Sequence, residues 1–119
     1  MAATPPTPPD AMVVLTTVGT ADAAATLVTA LLAERLVACG TCLPDARSLY
    51  HWEGALHDER EVVILLKTTA DRLAALEAAF ARLHPYDVPE LLALPVAHGA
   101  AGYLAWLSAA TAPSPPTAP

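Results

Sequence analysis

Fixed positive charge is scarce in this chain: Arg35, Arg47, Arg60, Lys67, Arg72 and Arg82 supply all of it, against twelve Asp and Glu, for a formal charge of −6. A protein so short of cations has no basic stripe with which to neutralise a phosphate backbone, so nucleic acid and anionic membrane are excluded as expected partners. Long apolar runs are also missing. Although 55% of the residues are hydrophobic, no uninterrupted run approaches the ~20 residues that span a bilayer. The N-terminus lacks a basic segment followed by an apolar one, so no signal peptide is expected and the expected location is the cytoplasm. Two cysteines, Cys39 and Cys42, are too few for a disulfide scaffold. The signatures of common catalysis are absent too: there is no Gly-rich phosphate loop, no His-Glu-x-x-His and no Gly-x-Ser-x-Gly. Thr16-Thr17-Val18-Gly19-Thr20 carries no cation, which argues against a phosphate loop of the acylphosphatase kind. A non-enzymatic protein without an organic cofactor is the expectation.

What is present suits one domain, since 119 residues can bury a single core but hardly two. The prolines concentrate at the ends. Residues 1–10 and 112–119 hold most of the twelve and almost no large apolar side chain, so they are expected to be flexible tails around a domain at 11–111.

Within that domain, Met12-Val13-Val14-Leu15-Thr16-Thr17-Val18 is β-branched and apolar, and Gly19-Thr20 reads as a strand end followed by a helix N-cap. Leu27, Val28, Leu31, Leu32 and Leu36 then recur at helical spacing over Asp22–Leu36. Val37–Tyr50 is extended, with Pro44 marking a bulge or an edge, and Glu53-Gly54 is a tight hairpin turn. A third strand, Glu61–Thr68, is apolar on both parities at its centre, which predicts cover on both faces. Thr68-x-x-Asp71 has the form of a capping box, and Leu73, Leu76, Phe80 and Leu83 mark one face of a second helix. Leu91–Val96 is a fourth strand whose Pro95 indicates an edge or a terminus. Tyr103, Trp106, Leu107 and Ala110 give a short final helix whose aromatic face must dock on something. The order βαββαβ plus α is the split-βαβ, ferredoxin-like sandwich of the α+β class, with an extra C-terminal helix.

The sharpest local signal is His84-Pro85-Tyr86-Asp87-Val88-Pro89-Glu90. Proline pushes its predecessor out of the helical region, so His84 must end the second helix and Val88 must be extended. Side chains there are held by a stiff backbone.

Taken together, Leu36-Val37-Ala38-Cys39, Ser48-Leu49-Tyr50-x-Trp52-Glu53-Gly54, Glu61 with Leu66-Lys67-Thr68, His84-Pro85-Tyr86-x-x-Pro89-Glu90, Leu94-Pro95-Val96-x-His98-Gly99 and Tyr103-Leu104-x-Trp106-Leu107 resemble the CutA family of divalent-cation tolerance proteins. The resemblance covers about residues 12–110. It implies an intertwined homotrimer with architecture like the PII signalling proteins, and association with copper and other divalent metal ions. A two-sided apolar strand and an aromatic terminal helix independently call for burial in an oligomer.

For metal, the resemblance implies Cys39, on the second strand, and His84, of the His-Pro-Tyr. A soft thiolate suits Cu(I) and imidazole suits Cu(II). His84 has an equal structural reading as a helix C-cap. Thr16 and Leu83 stand where some members carry a further cysteine and histidine, so a site would recruit Cys39, His98, His51 or His57. Cys39-Gly40-Thr41-Cys42 has the spacing of a dithiol or half a zinc site, but residues three apart in a strand point to opposite faces. The resemblance also implies an inter-subunit cleft of Tyr50, Trp52, Glu61, Lys67, Tyr86 and Glu90. A buried Lys67 requires a carboxylate, and Glu61 or Glu90 could supply it. A PII-like sensor of a small anionic metabolite, read by an unknown protein partner, is the competing reading.

Overall fold

β-Branched residues at every second position build the centre of the molecule. In the computed structural model, which describes residues 10–113, strand β1 (Ala11–Val18) lies between β3 (Ala55–Thr69) and β4 (Leu92–Pro95). With β2 (Cys39–Trp52) on the far side of β3, the sheet runs β2-β3-β1-β4, antiparallel throughout. This is the ferredoxin-like order, and β4 is the expected edge. The Pro-rich tails expected at 1–10 and 112–119 lie, apart from Asp10, Ala112 and Pro113, outside the described residues.

One face of the sheet is closed by two helices. Val14, Thr16 and Val18 stand opposite Leu66, Ile64 and Val62, and all six are buried. Helix α1 (Ala21–Ala33) covers them with Leu27, Val28 and Leu31, and α2 (Leu73–Leu83) with Leu76 and Phe80. Gly40 is required where β2 passes under α1, because a Cβ there would lie 2.8 Å from Val28 Cγ1.

Besides shifts of one or two residues at the ends of β2 and β4, three boundaries differ from the sequence reading. Helix α1 starts as expected, with Thr20 Oγ1 accepting the Ala23 N–H at 3.1 Å, but stops short of Leu36. Arg35 takes the left-handed conformation (φ 56°), and the N–H groups of Leu36 and Arg35 donate to the carbonyls of Leu31 (3.1 Å) and Leu32 (3.0 Å). That is a Schellman ending built without glycine. Second, Thr68 is no cap. Its hydroxyl donates to the Leu36 carbonyl at 2.7 Å, the strand runs on to Thr69, and a 3-10 turn (Ala70–Arg72) leads into α2. Third, β3 begins at Ala55 rather than Glu61. The polar stretch Ala55–Arg60 is strand because it pairs with Arg47–Trp52 around a turn in which Glu53 (φ 50°) and Gly54 (φ 77°) are both left-handed, the I′ pattern that suits a hairpin. The expected bulge near Pro44 appears as a register shift between Leu43 and Ala46, with Asp45 at φ 57°.

Beyond Val62, β3 has only β2 as a neighbour, so Ala46–Trp52 and Ala55–Glu61 form a two-stranded ribbon that projects from the sheet. The second face of the sheet is also unfinished. Val13, Leu15, Val63 and Leu65 are half-buried, while Leu92 and Leu94 are 55% and 50% exposed. Helix α3 (Ala101–Thr111) is anchored by buried Leu107 and by Thr111, whose hydroxyl lies 3.4 Å from that of Thr69. Tyr103 and Trp106, expected to dock, remain 46% and 47% exposed. The expected cover on both faces of β3 is thus completed on one face only within a single chain.

Candidate functional site

At the root of the ribbon, the His84–Glu90 loop turns back over the end of β1. His84 caps α2 in extended conformation (φ −73°, ψ 135°), its N–H still donating to the Phe80 carbonyl at 2.9 Å. That places Tyr86 beside the last residues of β1, where its hydroxyl donates to the Glu61 carboxylate at 2.7 Å. Glu61 is only 7% exposed, and a carboxylate so placed needs a donor of this kind. Burial, then the bond to Glu61, push the Tyr86 phenol well above the usual tyrosine range. On the ribbon itself, the Tyr50 hydroxyl donates to Glu59 at 3.0 Å and is raised mainly by that bond. The Tyr50 ring stacks on His57 at 5.1 Å.

These groups border a cleft of about 570 Å³ lined by Tyr50, Trp52, Glu59, Glu61, Tyr86, Asp87 and Glu90, with Thr17, Ser48, Leu49 and Val88 between them. Five of the six residues expected to share a cleft do share one. Lys67 does not. It lies six residues along β3 from Glu61, about 20 Å at roughly 3.3 Å per residue, and its ammonium donates to Thr41 Oγ1 at 3.3 Å. The ion pair expected with Glu61 or Glu90 is therefore not formed within the chain. Glu59 was not singled out in the sequence reading, although it shares the parity of Glu61 two residues on. Among the described residues, the lining carries four carboxylates and no cation. An anionic metabolite would meet repulsion there, so the PII-like reading gains nothing from the site.

The expected metal pair is separated. His84 is 8% exposed on the helix-covered side. Its Nδ1 accepts the Tyr86 N–H at 3.1 Å, so the ring proton sits on Nε2 and is directed at the Thr17 carbonyl (3.1 Å), with Thr16 Oγ1 at 3.0 Å. Neither nitrogen keeps a free lone pair. Burial lowers the His84 pKa from its ordinary value, the Thr17 carbonyl opposing that shift. Cys39 pairs with Lys67 across β2 and β3 and so belongs to the opposite, open face, with its Sγ 3.8 Å from the Tyr103 hydroxyl. Burial, then this contact, raise the Tyr103 phenol. Cys42 pairs with Ile64 and has the other parity, and both thiols are free. Among the described residues, no three His, Cys, Asp or Glu side chains of one chain are grouped to hold a metal ion. His51 is exposed on the ribbon, His57 lies 3.5 Å from Glu59 Oε1, and exposed His98 borders a separate groove with Asp10 and Leu104. No helix among the described residues is long and apolar enough to cross a membrane.

Comparison with known proteins gives a consistent picture. Residues 12–110 match the family described as CutA1 divalent ion tolerance protein. The divalent-cation tolerance protein CutA of Citrobacter koseri is 50% identical over 101 residues, 85% of this chain and 88% of that protein. Among solved structures, the divalent cation tolerance protein of Thermus thermophilus superposes with a TM-score of 0.82 at 41% identity, covering 86% of this chain and 99% of that one. CutA1 from Oryza sativa gives a TM-score of 0.85 at 36% identity, covering 90% and 98%.

Proposed function

Since this chain belongs to the CutA1 divalent ion tolerance family, we propose that it is a cytoplasmic, non-enzymatic homotrimer that binds copper or other divalent metal ions as part of metal-ion tolerance. The family match over residues 12–110 carries the tolerance role. Assembly is supported by the unfinished open face and by the ribbon, since a two-stranded hairpin without neighbours is marginal in water. Metal binding is supported by a cleft whose carboxylates attract cations.

Because no three such donors are grouped among the described residues of one chain, the ions take ligands from more than one copy. Oxygen donors of the cleft suit hard divalent ions, and Cys39 on the open face is the soft donor for copper. His84 is not among the ligands, because its ring nitrogens are engaged. Calorimetric titration at neutral pH with copper, zinc and magnesium tests this. Cys39→Ser lowers copper affinity at least tenfold while His84→Ala leaves it unchanged. No heat with any of the three metals overturns the binding reading, and a sedimentation mass of one chain overturns the trimer.

A further inference from the structure

Helix α3 is held firmly at one end only. Its last turn is fixed by buried Leu107 and Thr111 and by Arg35, whose Nε donates to the Ala112 carbonyl at 2.8 Å and whose Nη2 donates to that of Ala109 at 3.2 Å. Its first turn has no comparable hold. Among the described residues no side chain caps it: Ala100 stands at the N-cap in extended conformation (φ −63°, ψ 136°), and Gly102 follows directly in the first turn. The Leu104 N–H donates to the Ala100 carbonyl at 3.0 Å, so the amides of Ala101, Gly102 and Tyr103 before it have no acceptor within the helix.

Beside this uncapped turn lies a groove of about 510 Å³. Alanine, valine and leucine side chains dominate its lining, Ala11, Val96, Leu104 and Ala105 among them, together with exposed Asp10 and His98. Asp10 is also where the segment Met1-Ala2-Ala3-Thr4-Pro5-Pro6-Thr7-Pro8-Pro9 joins the domain. That segment and the groove complement each other. The segment has no charged side chain, and its four prolines supply carbonyl acceptors without N–H donors, whereas the first turn of α3 presents donors without acceptors. In polyproline II geometry nine residues reach about 28 Å at roughly 3.1 Å each, ample for the stretch from Ala101 to Leu107, which spans about 9 Å of helix. Tethering at the edge of the groove raises the local concentration of the segment, and its stiffness lowers the entropy lost on docking. Residues 114–119 leave from the far end of α3, after Pro113, and have no such tether.

We infer that residues 1–9 lie as a strap along this groove of their own chain, with prolyl carbonyls accepting hydrogen bonds from the uncapped amides of α3. The strap fastens the start of α3 to the ends of β1 and β4. For the N-terminal end it replaces the expectation of a free tail, and it depends on neither the metal nor the assembly reading.

Backbone relaxation of the full 15N-labelled chain tests this at Thr4 and Thr7, the residues between prolines that carry an amide proton. Order parameters of about 0.8 are expected there, where a free segment falls below about 0.6. Proton contacts between Pro5–Pro9 and the Leu104 methyl groups accompany them. Ala101→Trp and Ala105→Trp fill the groove from exposed positions, so each is expected to drop Thr4 and Thr7 to free values while the amide signals of α1 stay in place. Order parameters below about 0.6 in the wild type overturn the inference, as do ordered values that both substitutions leave unchanged. Labelled and unlabelled chains refolded together separate contacts within a chain from those between chains. Contacts found only between chains put the segment on a second copy and overturn the strap.

Discussion

The two faces of one sheet are made by the same strands and end in different states. On the helix side, Val14, Thr16, Val18, Val62, Ile64 and Leu66 are buried under α1 and α2. On the other, Val13, Leu15, Val63 and Leu65 alternate with them at the same spacing, are equally apolar, and are only half-covered. The difference lies in what is laid over them. Two amphipathic helices complete the first face, whereas α3 covers only one end of the second through Leu107 and Thr111. One face is a finished core and the other is left half-covered by its own chain.

Substitutions can break that contrast, and the helix side gives the largest effect. Ile64→Ala leaves a cavity among residues that have no other means of filling it, and is expected to cost about 2–5 kcal/mol in chemical denaturation. A loss no larger than that of Leu65→Ala in the dissociated chain would remove the distinction between faces. Next, Tyr86→Phe withdraws the donor from a buried carboxylate and should cost about 1.5–3 kcal/mol, with Glu61→Gln added to Tyr86→Phe recovering part of it. Smaller still is Leu94→Ser on the open face. Its intrinsic cost is under about 1 kcal/mol because the side chain is half-exposed, yet under the proposed assembly it should make the melting temperature depend more steeply on protein concentration.

The last test concerns pH. His84 is held neutral, with its proton affinity lowered by burial. The unfolded chain therefore binds a proton more readily than the folded one. The stabilisation is fully present above the ordinary histidine pKa of about 6.5 and is lost as pH falls through the lower folded value. The melting temperature should drop on acidification below pH 6.5, and His84→Asn should flatten that slope. An unchanged slope would show that another group sets it.

Much of this was legible in the residues. The β-branched apolar run Met12–Val18, the helical spacing of Leu76 and Phe80, the tight turn at Glu53-Gly54 and the edge or terminus at Pro95 are local signals, and the structure carries each of them. The cleft could be anticipated through the family resemblance for Tyr50, Trp52, Glu61, Tyr86 and Glu90, but not through spacing, because these side chains come from two strands and a loop. The helix end at Arg35 was not legible, because a left-handed arginine has no composition cue. Nor was the start of β3, because Ala55–Arg60 is polar and becomes strand only by pairing with its hairpin partner.

Local chemistry alone, then, determined the element types, the order βαββαβα, the stiff His84–Glu90 joint and a charge balance hostile to phosphate. Tertiary structure decided which of the chemically interesting residues meet. It gave both His84 ring nitrogens hydrogen-bonding partners, put Cys39 on the opposite face, gathered four carboxylates into one cleft and left Lys67 remote from them. The reason is range. Backbone preference and hydrophobic period act over a few residues, whereas a site is a relation between side chains far apart in sequence, set by sheet register and by the path of the chain around it.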